Sequence, residues 1–262
     1  MPTPFKPLVL IPSYNTGPIL AGTVEKALEH AAPHPVWVVI DGSTDDSEAA
    51  LAPLLDKDPE RLRVLRRTRN GGKGRAVHHA LDAAANAGHS HVLTMDADGQ
   101  HPADRIPEFL RLGKRFPEDL IMGAPVFGPD VPTARLKGRK LTIFWTDLET
   151  PGAALGDTLF GMRLYPLDGL RKAFRQTVFA RGFDFDPEIA VRLTWLGCRP
   201  RQLAVPVRYL RPDEGGVSHF NYLRDNIKLT LLHVRLVPEF LLLRLVPYLK
   251  YRRQWRKEPP TA

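Results

Sequence analysis

Short aliphatic runs alternate with stretches of helical spacing through the first two-thirds of the chain. Leu8–Ile11 reads as a buried strand, and Ile19, Leu20, Val24, Ala27, Leu28 and Ala31 then recur at helical intervals. Val36–Ile40 predicts a second strand, and Ser43-Thr44-Asp45-Asp46 reads as the N-cap of a helix running through Leu55. Leu62–Leu65 is a third strand, followed by an alanine-rich helix over Arg75–Ala87 and a fourth strand over His91–Met95. A helix over Arg105–Phe116 and a fifth strand over Leu120–Gly123 complete the regular part. Beyond about Thr133 the pattern loosens. It predicts helices over Ala134–Glu149 and Phe185–Leu196, a strand over Gln202–Val207, and an amphipathic helix over Tyr222–Val237 with Leu223, Ile227, Leu231 and Val234 on one face.

Repeated strand–helix–strand units imply an α/β fold, with a mostly parallel sheet covered on both faces. Ligands in such sheets bind at the carboxyl ends of the strands. Polar loops fall at four successive strand ends: Ser13–Asn15, Asp41–Ser43, Asn70–Gly74 and Asp96–His101. That coincidence marks a site.

Charge adds a direction without choosing a partner. The chain has 262 residues with 37 Lys plus Arg against 29 Asp plus Glu, a net +8 that suits an anionic ligand, a nucleic acid or an anionic membrane. Cys198 is the single cysteine, so no intrachain disulfide can form. The start of the chain lacks a signal-peptide h-region, and no run of about 18 apolar residues exists, so the expectation is a cytoplasmic protein without a transmembrane helix.

Asp96 and Asp98 stand two residues apart at a strand end, so they point to one side. With Gln100 they form an oxygen-rich arc suited to a hard divalent cation. An Asp-rich turn explains the same residues taken alone, and the neighbouring polar strand ends favour the metal. Asn70-Gly71-Gly72-Lys73-Gly74 precedes a helix, where backbone N–H groups and the helix dipole favour an anion. It has neither Walker A nor GxGxxG spacing. Asp41 suits a ribose hydroxyl or a base edge.

These motifs occur in one order: Ile11-Pro12-Ser13-Tyr14-Asn15, Asp41-Gly42-Ser43-Thr44-Asp45, Asn70–Gly74, and Asp96-Ala97-Asp98-Gly99-Gln100-His101-Pro102. Together they closely resemble the family 2 glycosyltransferases with the GT-A fold. Within that family the chain looks most like the dolichyl- and polyprenyl-phosphate sugar synthases and the small glycosyltransferases encoded in bacterial aryl polyene clusters. The resemblance continues through Gly156-Asp157, Gly161-Met162-Arg163, Phe183–Glu188, Ser218-His219-Phe220 and Asp225-Asn226, and covers about residues 7–237. It implies an inverting, metal-dependent transfer from a UDP- or GDP-linked sugar to a lipid or polyprenyl-phosphate acceptor. By the resemblance Asp96, Asp98 and Gln100 hold Mn²⁺ or Mg²⁺, while Pro12, Tyr14, Asn15, Asp41, Gly72, Lys73, Gly74 and Asp96 contact the nucleotide. The chain departs from the family pattern at Ile40, where an acid is usual, and at Gly123-Ala124-Pro125, where an arginine is frequent.

An ionised lipid phosphate needs no general base, whereas a hydroxyl acceptor does. Asp157, Asp186 and Glu188 are the candidate acids on the acceptor side, although Asp186 and Glu188 also suit the opening of a helix. Arg135, Arg139, Arg163 and Arg211 are candidates for acceptor or diphosphate oxygens, and His219, in a glycine-containing loop, for the metal. A nucleotidylyltransferase and a non-catalytic nucleic-acid-binding domain are the alternatives. The second is opposed by acidic loops and by the lack of an aromatic stacking platform, so no nucleic-acid partner is expected.

The sequence divides at 237/238 into a catalytic domain and a basic tail over 238–262. From Arg224 to Glu258, nine Lys or Arg stand against three acids. Phe240–Leu243, Tyr248 and Trp255 are interleaved with them, and Pro238 and Pro247 predict two short helices rather than one. Apolar bursts flanked by cations and aromatics suit a helix lying in the headgroup layer of an anionic leaflet, on the inner face of the cell membrane.

Overall fold

The structure is a computed structural model that describes residues 4–128, 133–182, 184–207 and 222–255, with side chains at 133–137 and 222–226 left aside. A seven-stranded sheet runs in the order β3-β2-β1-β4-β6-β5-β7. Its first half is β1 (Pro7–Ser13), α1 (Ile19–Ala31), β2 (Val36–Asp41), α2 (Ala52–Lys57), β3 (Leu62–Arg67), α3 (Lys73–Asn86) and β4 (His91–Thr94). The second half is α4 (Ile106–Arg115), β5 (Leu120–Phe127), α5 (Thr133–Glu149), β6 (Arg163–Pro166), α6 (Leu167–Arg175), α7 (Phe185–Trp195), β7 (Pro200–Val207), α8 (Tyr222–Glu239) and α9 (Leu245–Trp255).

Period-two alternation divides the core between the two faces of the sheet. On β1, Leu8 and Leu10 join one cluster while Val9 and Ile11 join the other; on β2, Trp37 and Val39 oppose Val36, Val38 and Ile40 in the same way. Burying each such aliphatic side chain is worth about 1.5–3 kcal/mol. The central strands are therefore apolar on both sides, as parallel strands under two helical layers must be.

β1 pairs in parallel with β2 and β4, so their carboxyl ends open on one edge. β6 is antiparallel, with Thr94 opposite Arg163. It carries the preceding residues, 157–161, over the end of β4. No strand was expected there: four residues that include Arg163 and Pro166 carry no legible alternation.

Two other expectations are corrected. The helix expected from Ser43 begins as a 3-10 turn at Ala49 and becomes α-helical at Ala52. The would-be capping residues are spent across the cleft: Ser43 Oγ accepts the Asn15 N–H (3.0 Å) and Asp45 Oδ2 that of Gly17 (2.9 Å), while the neighbouring Ser47 Oγ accepts the N–H groups of Thr16 (2.9 Å) and Gly17 (2.8 Å). The boundary expected at 237/238 falls inside α8. Phe240, Tyr248 and Trp255 enter the same core cluster as Leu229, Leu232 and Leu236, so the described part of the tail is packed onto the domain. Tyr248 donates to the Pro151 carbonyl (2.8 Å), and these aromatics face the protein rather than a headgroup layer. The two short helices expected from Pro238 and Pro247 are not separated there: Pro238 lies within α8 and Pro247 within α9, and a π-helical turn over Phe240–Arg244 joins the two without a break.

Candidate active site

The first wall of the cleft is a zipper between two strand-end loops. Asn15 sits at φ 47°, and its Oδ1 accepts the Thr44 N–H (2.8 Å) while Asp45 Oδ2 accepts the Gly17 N–H (2.9 Å). Burial would raise the Asp45 carboxyl, but hydrogen bonds from the Ser47 hydroxyl and N–H, and then from the Gly17 N–H, hold it below its ordinary value. Pro12, Tyr14 and Asn15 are left partly exposed at the rim.

Asp41, at the end of β2, is 2% exposed. Its Oδ2 accepts the N–H groups of Gly71 (2.9 Å) and Gly72 (2.8 Å), and its Oδ1 is paired with Arg67. Asp41, expected at the nucleoside, is a buried anchor that shapes the glycine loop. Gly72 takes φ 87°, and a Cβ at Gly74 would run into the Ala180 carbonyl. The glycines seat the start of α3 against segment 180–182.

This seating aims Lys73 across the cleft. Its Nζ lies 2.7 Å from Asp96 Oδ1 and 2.8 Å from Asp186 Oδ2. Burial favours the neutral amine, but the two carboxylates overcome it and raise the Lys73 pKa. Burial likewise opposes ionisation of Asp96, and Lys73, His101 and Arg163 reverse that effect, holding its carboxyl at about 2. Asp98 is driven the other way, upward, first by burial and then by the Asp96 charge.

His101 belongs to the same cluster, and its role was not legible in sequence. Its Nδ1 accepts the Asp96 N–H (2.9 Å), which leaves the proton on Nε2, 3.5 Å from Asp96 Oδ2. Phe160 holds the ring edge-on at 4.6 Å. Thr94 Oγ1 donates to the Gly161 carbonyl (2.8 Å), which places Gly161 beside the carboxylate. A Cβ at Gly161 would meet Lys73 Nζ first and would stand 3.0 Å from Asp96 Oδ2, so the missing side chain leaves room for the ammonium beside the carboxylate.

The remaining candidates separate. Asp186 is in the cluster, and its Oδ1 is buried without a hydrogen-bond partner among the described residues. Glu188, one helical position pair further on, is not: its carboxylate binds Arg192 Nε (2.8 Å), Arg235 Nη2 (2.7 Å) and the Ala180 N–H (3.2 Å). The expectation of Glu188 as an acceptor-side acid is corrected, because it is fully buried in ion pairs. Arg163 is corrected as well. It is fully buried, and its guanidinium donates to the carbonyls of Phe160, Asp186 and Thr158, so it ties two site loops together.

Asp157 accepts the Leu159 N–H (2.9 Å) through Oδ1 and pairs with Arg139 through Oδ2. The side chain of Arg135, and Arg211 and His219 entirely, lie outside the described residues. Among the described residues no three His, Cys, Asp or Glu side chains converge as ligands of one metal ion. The donor set nevertheless fits a hard cation. Asp96 and Asp98 are mutually repelling carboxylates on one open edge, and Asp98 Oδ1 is steadied by the Gln100 N–H (3.1 Å). The Lys73 ammonium already demonstrates that Asp96 and Asp186 accept a positive charge between them.

A mostly parallel sheet with its acidic pair and glycine loop at one edge has the architecture of a GT-A glycosyltransferase. Residues 8–176 match the model of Glycosyl transferase family 2, and the chain belongs to that family. It is 31% identical over 195 residues to the polyprenol monophosphomannose synthase of Mycolicibacterium smegmatis, covering 72% of this chain and 70% of that protein. It is 27% identical over 216 residues to the undecaprenyl-phosphate mannosyltransferase of Micrococcus luteus, covering 79% and 85%. Among solved structures, glucosyl-3-phosphoglycerate synthase of Mycobacterium tuberculosis, with Mn²⁺, UDP and glucosyl-3-phosphoglycerate bound, superposes at a TM-score of 0.57. That match is 18% identical and covers 92% of this chain and 80% of the other. TarS of S. aureus, solved with UDP-GlcNAc, gives 0.57 at 16% identity, covering 90% and 72%. The protein is therefore a glycosyltransferase, and the alternatives of a nucleotidylyltransferase and a nucleic-acid-binding domain fall away.

Proposed function

We propose that the protein transfers a hexose, with inversion, from a UDP- or GDP-linked donor to a lipid phosphate at the membrane surface. The observation that carries the reading is the charge arrangement at the end of β4. Asp96 and Asp98 follow the same strand, and Lys73 reaches Asp96 from the glycine loop through space that Gly161 leaves beside it. Asp96, Asp98 and Gln100 are the residues that would hold Mn²⁺ or Mg²⁺. When bound, such an ion supplies a Lewis acid that offsets charge developing on the leaving diphosphate.

The chain's own groups do the rest. The zipped 13–17 and 43–47 loops, with Pro12, Tyr14 and Asn15 at the rim, form a rigid floor for the nucleoside, while Asp41 acts through the loop that it shapes. Lys73, held ionised, is a preorganised cation for the diphosphate. On the acceptor side, Asp157 is occupied by Arg139 and Glu188 by two arginines, and Asp186 is buried against the Lys73 ammonium, so each of the three candidate bases is held by a cation. An acceptor that is already anionic, such as a lipid phosphate, needs none. The named activities of the two mannosyltransferase relatives support that acceptor class. Arg135, Arg139 and Arg211 remain the candidates for acceptor or diphosphate and His219 a candidate for the metal, and the proposal includes a peripheral position on the inner face of the cell membrane.

The test is product formation from radiolabelled GDP-mannose, UDP-glucose or UDP-GlcNAc and undecaprenyl phosphate, with Mn²⁺ or with EDTA. A lipid-linked sugar whose anomeric coupling shows inversion is expected, and Asp98→Ala should abolish both the product and Mn²⁺-enhanced nucleotide binding. Retention of configuration, or full turnover of Asp98→Ala in EDTA, would falsify the mechanism.

A further inference from the structure

Eleven of the fourteen large apolar side chains exposed among the described residues lie on α5, α8 and the tail. On α5 they are Leu141, Phe144 and Leu148; on α8 they are Ile227, Leu231 and Val234. These are helical stripes on the side away from the core, since Thr142, Thr146 and Glu149 of α5 and Leu229, Leu232 and Leu236 of α8 are buried. The two helices lie side by side. Trp145 stacks on His233 at 5.9 Å, and His233 Nδ1 meets Glu149 Oε1 at 2.8 Å. The chain then runs directly into the π-helical turn and α9, where Phe240, Tyr248 and Trp255 turn inward and Leu241–Leu243, Val246 and Leu249 turn outward. Leu242 is 80% exposed. Each helix thus carries a second apolar stripe that the fold does not use, and exposed apolar surface gathered on neighbouring elements in this way marks an interaction face.

Charge selects the partner. Lys140, Lys228, Lys250 and Arg253 stand exposed on the same helices. Of the acids among their described side chains, Glu149 is buried on His233 and Glu239 is held by Arg192 and Arg244, so Asp147 is the one acid left exposed. A second copy applied to this face would bring cations against cations. An anionic bilayer offers hydrocarbon to the leucines and headgroup charge to the lysines, and no helix among the described residues is long and apolar enough to cross it.

We infer that α5, α8 and α9 together form one face that docks on an anionic bilayer, with the exposed leucines and Phe144 inserted at the headgroup boundary. This deepens the lipid-phosphate reading and rests on it for its purpose. It differs from anchoring by the basic tail alone, because it assigns Phe144 and Leu231, in the body of the domain, to the same contact as Leu242.

The experiment is co-sedimentation of the full chain with vesicles of phosphatidylcholine, with and without phosphatidylglycerol, for the wild type, Phe144→Glu, Leu231→Glu and Leu242→Glu. Binding to the anionic vesicles, weakened by salt, is expected. Each substitution should lower the partition coefficient at least tenfold, with unchanged Tm because all three side chains are exposed. Three results would overturn the inference: no binding by the wild type, loss in Leu242→Glu alone, or a dimer in solution that Phe144→Glu dissociates. Transfer to a short-chain polyprenyl phosphate in detergent, measured in parallel, tests the acceptor reading by itself. Vesicle binding without transfer would refute that reading and leave the docking face standing.

Discussion

Lys73 and Asp186, 113 positions apart in sequence, meet at 2.8 Å between Nζ and Oδ2, with Asp96 closing the other side of the ammonium at 2.7 Å. The pair is buried: the side chains are 13% and 6% exposed. Removing one partner of such a pair leaves an uncompensated charge behind, typically at a cost of about 3 kcal/mol or more. Lys73→Met is therefore expected to lower Tm and to reduce kcat/KM on the order of 100-fold, the scale of losing one preorganised electrostatic donor. Steady-state kinetics with thermal unfolding measures both. Wild-type turnover in the variant would show that Lys73 serves packing alone.

Two glycines separate site from scaffold. At Gly161 a methyl would crowd the Asp96 carboxylate and the end of the Lys73 side chain, while at Gly74 it would strike the backbone carbonyl of Ala180. Gly161→Ala should keep its Tm within a few degrees and lose donor affinity by at least tenfold. Gly74→Ala should lose about 1–3 kcal/mol of stability, the usual cost of overpacking. Calorimetry on both variants checks the contrast, which a reversal of the two outcomes would refute.

The acid limb of the stability curve has an identifiable contributor in Glu239. Burial pushes its carboxyl upward, but the bonds from Arg192 and Arg244 outweigh that and hold it below the ordinary carboxylate value. A depressed folded value means the stabilisation is present in full above the unfolded pKa and is lost as pH falls through the folded one. Glu239→Gln should lose about 2 kcal/mol at neutral pH. Its Tm should also fall less steeply than that of the wild type below about pH 4.5. Parallel acid limbs in the two proteins would remove Glu239 from that role.

Cys198 is buried, and burial with the nearby Asp119 and Glu118 charges pushes its thiol up to about 12. The thiolate is the reactive form, so native protein at pH 8 should resist alkylation and become labelled only when urea opens the fold. Mass-spectrometric labelling with iodoacetamide checks this; rapid modification in native buffer is the contrary outcome.

The four polar strand-end loops were legible in sequence because local rules specify them. A buried aliphatic run followed by Pro-Ser-Tyr-Asn or Asp-Ala-Asp-Gly ends a strand wherever the rest of the chain goes, and period-two alternation tells which residues of β1 and β2 face which layer. Their order along the chain was enough to assign the parallel half of the sheet and to bring Asp96 and Asp98 to its edge. What sequence could not supply were relations between distant segments. Glu188 and Asp186 look equivalent on paper, two acids opening one helix, yet α7 turns Asp186 to Lys73 and Glu188 to Arg192 and Arg235. Arg163 reads as a free cation until antiparallel β6 places it beneath three carbonyls. In the tail, residue type suggested aromatics at a membrane, but helical phase sends Phe240, Tyr248 and Trp255 into the core and leaves the leucines outside. Sequence determines which groups are present and the local geometry of each loop. Only packing decides which charge faces which, because a buried ion finds its partner through the topology of the sheet and not through spacing along the chain.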